Sequence, residues 1–183
     1  KVNHLTNPLG FRMTRPVFSW KVKEVIGKHQ TEARSQVAAD EAMTQILNDT
    51  GWSDKLDSLA SKVEVDLKPV TRYYWTVSVR SDASVETGTG EAAPEEAVSQ
   101  VQWFETGKRG QPWIGKWITC NNKEPRHPYF EKEIKVTKEV EKARFYICGL
   151  GLYEAYYNGK RIGDEYLTPY STDYTQWTQY QTY

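Results

Sequence analysis

The chain has 183 residues, enough for one large domain or two small ones. Its 24 Lys+Arg balance 24 Asp+Glu, which argues against the basic excess of a phosphate-backbone binder. Mean hydropathy is −0.73 and no apolar run approaches the roughly 18 residues of a membrane-spanning helix, so neither nucleic acid nor a membrane is an expected partner.

Lys1 to Gly10 lacks the apolar core of a secretory signal, so export would require that such a segment has already been removed. Two cysteines, Cys120 and Cys148, are too few for a disulfide scaffold or a zinc site; spacing does not decide whether they pair, and free, partly buried thiols are the expectation. His4, His29 and His127 are scattered, none at metal-ligand spacing from another His or Cys. The unusual feature is the aromatic content: 12 Tyr and 7 Trp against 5 Phe.

In chain order, the first pattern is Phe18-Ser19-Trp20-Lys21-Val22, which alternates apolar and polar as a half-buried strand does. Val37 to Leu47 is the exception to a strand-rich reading. Ala38, Ala42, Ile46 and Leu47 form a weak helical stripe, which predicts a short helical turn inserted between strands. Val63 to Leu67 alternates again. So does Tyr73 to Arg80, with Tyr73, Trp75, Val77 and Val79 on one face. Ser81 to Pro94, with Gly88-Thr89-Gly90, reads as a turn-rich connection, and Val98 to Phe104 closes the first half. Trp20, Trp75 and Trp103 are expected in the core of a small sandwich.

Thr106-Gly107-Lys108-Arg109-Gly110-Gln111-Pro112 carries the Gly, Pro and basic residues of a linker. The expected organisation is therefore a domain over 1–107, a linker over 108–112 and a second domain over 113–183. Trp113 to Ile118, Tyr129 to Val136 and Ala143 to Gly149 read as strands, with Trp113 and Trp117 on one face. Asn158-Gly159 predicts a two-residue hairpin, because a type I′ turn needs positive φ at both central positions. Tyr180 to Tyr183 looks like the start of a strand, and a sandwich built from 112–183 alone would have a thin core, so the natural chain is expected to continue.

Candidate chemistry is sparse. Glu131 and Glu133 would share a strand face, but beside Lys132 and Lys135 they read as a solvated, charge-alternating surface. Glu95-Glu96 lies in an Ala/Pro-rich stretch expected to be an exposed loop. There is no Gly-x-Ser-x-Gly elbow, and Gly149-Leu150-Gly151 is too short for a dinucleotide loop, reading instead as a bend or bulge. No catalytic residue and no metal ligand set is assigned. The C-terminal third is richer, with nine tyrosines from Tyr146 to Tyr183. Sugar recognition commonly sets an aromatic face against the C–H surface of the ring and fixes hydroxyls with a few polar groups. Asp164, Asp173, Tyr174 and Trp177 supply both types and are the candidate carbohydrate-binding residues, with core or interdomain packing as the alternative reading of the aromatics.

Three stretches resemble the N-terminal part of bacterial α-L-rhamnosidases. Asn7-Pro8-Leu9-Gly10 and Arg15-Pro16-Val17-Phe18-Ser19-Trp20 are similar to the opening of that family's fibronectin-type-III-like domain; Arg72 to Val77 and Trp103 to Gly107 are similar to its late strands. Gly149 to Asp164, continuing through Leu167-Thr168-Pro169 and Thr172-Asp173-Tyr174, resembles the jelly-roll domain that follows. Tyr170 and Ser171 depart from the Gly-Trp that usually follows the Pro. The resemblance implies an all-β chain, a fibronectin-III-like β-sandwich followed by the beginning of a jelly roll. It implies a non-catalytic N-terminal piece of a glycosidase that removes terminal α-L-rhamnose, scaffolding an (α/α)6 catalytic barrel farther along the same polypeptide. Inverting hydrolysis needs two carboxyl groups roughly 6.5–9.5 Å apart, and in this family they belong to that barrel. The fragment itself needs no cofactor. Some family jelly rolls bind rhamnose beside a calcium ion, to which Asp164 and Asp173 would contribute. A role as a module binding rhamnosylated glycans is the alternative to the scaffold. Glycan degradation implies a secreted or periplasmic protein, with the cytoplasm as the other option.

Overall fold

The computed structural model describes residues 1–86, 88, 91–121 and 127–183. Every regular element among them is a strand, and the chain divides into two units, Lys1–Arg109 and Gly110–Tyr183.

The first unit contains β1 (Leu9–Phe11), β2 (Val17–Phe18), β3 (Gln30–Ala38), β4 (Ile46–Asp49), β5 (Ser61–Lys62), β6 (Arg72–Glu86), β7 (Ala92–Val98) and β8 (Gln102–Thr106). The spine is β6. Its alternation puts Tyr73, Trp75, Val77 and Val79 on the buried face, as the sequence pattern requires. β3 lies antiparallel along it with Ala33, Ser35 and Val37 opposite Val79, Val77 and Trp75. β8 covers the first half of β6, with Phe104 opposite Tyr73, and β7 covers the second half. The sheet order is β1-β8-β6-β3-β4, with β7 also on β6. β1 is the parallel member: Leu9 pairs with Glu105 across the edge.

A second layer, the β2–β5 ladder, lies over this sheet. Phe18 of β2 is fully buried among Trp75, Phe104, Met13, Val2 and Val63, the heart of the sandwich core. Trp20 packs at the core margin and donates its indole N–H to Gln30 Oε1 at 2.9 Å. Trp103 does not join the core. It pairs with Tyr74 on the opposite sheet face, where the Arg72 guanidinium stacks 3.9 Å from its ring centroid.

Several boundaries differ from the sequence reading. The Val37–Leu47 segment contains no helical turn. Val37 and Ala38 end β3 fully buried, and the reversal is made by Asp40, whose carboxylate accepts from the backbone N–H of Thr44 and of Gln45. An aspartate that caps its own chain four and five residues on competes with helix, which is why the alanines do not decide the outcome. The strand at Phe18 stops there, because Trp20 N–H turns aside to Ser58 O. Val63 and Leu67 are buried without a ladder of their own. The expected turn-rich stretch 81–94 is largely strand: β6 runs to Glu86 and β7 starts at Ala92, while Thr89 and Gly90 lie outside the described residues. The expected single strand from Val98 is split, since Ser99 turns to pair with Val77 through N–H···O and through its hydroxyl.

The second unit contains β9 (Tyr146–Cys148), β10 (Ala155–Tyr157), β11 (Lys160–Ile162) and β12 (Tyr180–Thr182). β10 and β11 form the expected hairpin, with Asn158 at φ 48° and Gly159 at φ 77°, as a type I′ turn demands. β12 pairs antiparallel with β9. The Gly149–Gly151 stretch links β9 to β10 as a loop, with Gly151 at φ 120°. Trp113–Ile118 and Tyr129–Val136 form no strand. Their alternating side chains have no neighbouring ladder to pair with among the described residues and stand largely in solvent. Cys120 and Cys148 are free thiols.

Candidate functional site

The clearest local constructions in the first unit are carboxylates that hold loops. Residues 21–29 connect the small layer to β3 without regular structure. Glu95 of β7 accepts from Ile26 N–H at 2.8 Å, Gly27 N–H at 2.9 Å and the Ser81 hydroxyl at 2.7 Å. Asp82 of β6 accepts from Lys28 N–H at 2.7 Å and His29 N–H at 3.1 Å. Four successive amides thus point at two carboxylates, and these bonds hold both groups below the usual carboxylate range, backbone N–H donation being the main cause. Glu95 is therefore no idle member of an exposed loop: it is half-buried on a strand and fixes a segment 69 residues away in sequence. Beside it opens a small cavity of about 150 Å³ lined by Val22, Val25, His29, Val79 and Arg80 among others. Of its charged lining, Glu95 is committed to the loop and Arg80 to Glu32 and Glu96.

In the second unit, three of the four candidate sugar contacts come together. Asp173 organises one turn: its carboxylate accepts from Thr175 N–H at 3.0 Å and from the Thr175 hydroxyl at 2.6 Å, while its carbonyl accepts from Gln176 and Trp177. The Thr175 hydroxyl is the main reason that Asp173 stays below the ordinary carboxylate range. Tyr174 and Trp177 leave the same turn 41% and 56% exposed. Two aromatic rings thus stand in solvent on a turn whose backbone is pinned. Asp164 is exposed in the loop after β11, and no described contact joins it to this turn. Among the described residues no group of three or more His, Cys, Asp or Glu is placed to hold a metal ion. One Asp173 oxygen is committed to Thr175, and no described contact brings Asp164 beside it.

A polar cluster at the base of the hairpin was not visible in the sequence. Tyr153 donates its hydroxyl to Gln181 Oε1 at 2.7 Å and lies against Tyr183, and burial pushes both phenols above their usual range. Gly163, at φ 77°, packs on the Tyr183 ring and on Glu165. Gln181 and Tyr183 come from the far end of the unit, so no local spacing reveals the cluster. Glu131 and Glu133 are exposed, and no described contact holds them as a pair.

The unit as a whole is notable for what it leaves uncovered. Among its described residues Pro169 is the one in the fully buried class. Ile114, Trp117, Phe130, Ile134, Tyr157 and Tyr166 are all more than half exposed. Monomeric soluble proteins rarely show so much apolar surface unless something binds there.

Comparison with known proteins gives this surface a context. A family model described as the Rha78A-like, N-terminal immunoglobulin domain matches residues 1–110, and one described as the α-L-rhamnosidase N-terminal domain matches residues 138–183. An α-L-rhamnosidase of Formosa agariphila is 29% identical over the whole chain, which spans 21% of that relative. One of Alteromonas sp. is 27% identical over 97% of the chain, which spans 20% of it. The solved α-L-rhamnosidase of Dictyoglumus thermophilum superposes over the whole chain with a TM-score of 0.76 at 30% identity, and the chain covers 22% of it. The chain thus corresponds to about a fifth of the length of these relatives. The first unit is the expected two-layer sandwich, in the version the family model describes as immunoglobulin. With the first match covering more than half of its length, the chain belongs to the α-L-rhamnosidase family, through that family's Rha78A-like N-terminal immunoglobulin domain.

Proposed function

We propose that this chain is a non-catalytic N-terminal region of a glycoside hydrolase that removes terminal α-L-rhamnose from glycans, and that it scaffolds a catalytic barrel farther along the same polypeptide. The observation that carries this reading is the open apolar surface of the second unit, on a chain that matches about a fifth of several rhamnosidases. A unit with four three-residue strands and almost no buried side chain gains stability by packing against more protein. Glu95, Asp82 and Asp173 are committed to backbone amides and hydroxyls, and Asp49 and Glu105 to Arg34 and Arg72, which suits a structural role.

The test compares the full-length polypeptide with this chain alone on an aryl α-L-rhamnoside. The scaffold reading expects hydrolysis by the full-length protein, none by the chain, and an apolar dye bound strongly by the chain but weakly by the whole. Turnover by the isolated chain would end the proposal. The same reading expects the full-length protein in a secreted or periplasmic fraction.

A second reading is favoured by one observation, the pair of exposed rings at Tyr174 and Trp177 on the Asp173 turn. It makes the chain a carbohydrate-binding module for rhamnose-bearing glycans. Titration of the chain with L-rhamnose by calorimetry, with and without calcium, separates the two. Saturable heat abolished by Trp177→Ala supports the module, and absence of heat supports the scaffold.

A further inference from the structure

Residues 21–28 form no strand, yet both ends of the segment are anchored. Trp20 N–H is bonded to Ser58 O at one end, and at the other Asp82 N–H is bonded to His29 O at 3.0 Å. Between these anchors the described hydrogen bonds all run to carboxylates: Ile26 and Gly27 give their N–H groups to Glu95, and Lys28 gives its N–H to Asp82. The segment lies close on β6, since a Cβ at Gly27 would run into Ser81. The two carboxylates are used differently. Glu95 receives Ile26 N–H on Oε1 at 2.8 Å, and on Oε2 both Gly27 N–H at 2.9 Å and the Ser81 hydroxyl at 2.7 Å. Asp82 receives Lys28 and His29 on the same oxygen, Oδ1, and no described contact engages Oδ2.

We propose that residues 21–28 are a strap latched by the Glu95 carboxylate and released when that group takes up a proton. This concerns the first unit and does not rest on the scaffold reading. An ionised carboxylate only accepts, whereas a carboxylic acid carries one O–H donor. At Glu95 each oxygen faces a backbone N–H, so a proton on either sets donor against donor. At Asp82 a proton fits on Oδ2 while Oδ1 keeps both amides, so Asp82 holds the strap without switching it. The charged groups around the latch are Asp82, which opposes the Glu95 charge, and Lys28 and His29, of which His29 favours the ionised form of Asp82. Arg80 of β6 is taken by Glu32 of β3 and Glu96 of β7, and Lys21, Lys23 and Glu24 are exposed. Amide donation holds Glu95 below the usual carboxylate range. A group depressed on folding contributes fully above its unfolded value, about 4.3 for glutamate, and that contribution is lost as the pH falls toward the folded value. Release takes away the strap's share of the cavity wall, Val22 and Val25, and opens the way to Val79.

Amide hydrogen exchange of the chain, corrected for intrinsic rates and followed from pH 7 to pH 3, tests this. Protection at Ile26 and Gly27 is expected to fall by about tenfold or more below pH 5, while the β3–β6 ladder keeps its own. Glu95→Gln places an N–H donor where one oxygen stands, so its strap is open already at pH 7 and no longer responds to acid. Asp82→Asn can keep an oxygen toward Lys28 and His29, and its strap stays closed at pH 7. The wild-type profile is read without any variant and stands whether or not Glu95→Gln folds. Strap protection that stays level to pH 3, or that is lost together with the β3–β6 ladder, would overturn the proposal. So would a Glu95→Gln strap as protected as wild type at pH 7, or an Asp82→Asn strap as open as that of Glu95→Gln.

Discussion

The ring of Phe18 stacks on the indole of Trp75, with centroids 4.3 Å apart and planes inclined by 27°. The contact joins the two-stranded layer to the centre of the large sheet, and Phe104 closes the cluster at 6.1 Å from Phe18. Trp75→Ala removes the indole from a site only 2% exposed and is expected to cost about 3–5 kcal/mol in denaturant unfolding. The indole N–H has no hydrogen-bond partner in the core, so Trp75→Phe loses volume but no bond and costs about 1–2 kcal/mol. Equal losses for the two variants would contradict this assignment.

Gly27 is a position of close approach. A Cβ there would run into the Ser81 side chain and come 2.7 Å from Asp82 Oδ1. Gly27→Ala must displace the loop from both Ser81 and the Glu95 clasp, with an expected loss of about 1–3 kcal/mol. The sharper check is local: amide exchange at Ile26, Lys28 and His29 rises more than exchange on β6.

Asp49 shows the sign of the acid response. Its carboxylate accepts from Arg34, from Gly51 N–H at 2.9 Å and from Gln36 Nε2 at 2.9 Å, and the Arg34 bonds are the main cause that holds it far below the usual range. A group depressed on folding stabilises the fold fully above its unfolded value, about 3.9, and loses that contribution as the pH falls toward its folded value. Wild type should therefore exceed Asp49→Asn in urea midpoint at pH 6, and the gap should narrow between pH 4 and pH 2. Because the pair is solvent-accessible, the gap should also shrink in high salt. A constant gap over that range would contradict the linkage.

The hairpin rests on positive φ at Asn158 and Gly159. Replacing both with valine places β-branched side chains where they fit worst, at about 1–2 kcal/mol for each left-handed residue. Exchange of the Ala155–Ile162 and Tyr157–Lys160 pairs should accelerate sharply, while β6 is unaffected. Unchanged protection would mean that the turn does not set the ladder.

What the sequence made legible follows from the range of the interactions involved. The buried face of β6 and the Asn158-Gly159 turn depend on residues within a few positions, and both are where period and turn chemistry put them. The extent of β6 and β7 was hidden because Asp82, Ser84, Pro94 and Glu95 have poor strand propensity, and their pairing with each other and with the 26–29 loop overrides it. The Val37–Ala38 stretch misled for the same reason: alanine is compatible with either state, and β6 decided between them. Of the proposed sugar contacts, Asp173, Tyr174 and Trp177 share a turn because they are near in sequence, whereas proximity in the sequence was no guide for Asp164.

The parallel pairing of β1 with β8 has a consequence for how the first unit comes into being. Leu9 finds its partner at Glu105, and Trp103 N–H reaches Asn7 Oδ1 across 96 residues. A ribosome adding about 5–20 residues each second exposes the N-terminal strand several seconds before the strand that receives it exists. The sheet's inner strands have neighbours available sooner, since β3 meets β6 and β6 meets β7 over shorter separations. Closure of this edge is therefore the last act of translation for the unit, and the opening residues wait for the whole sandwich to be synthesised before they are locked into it.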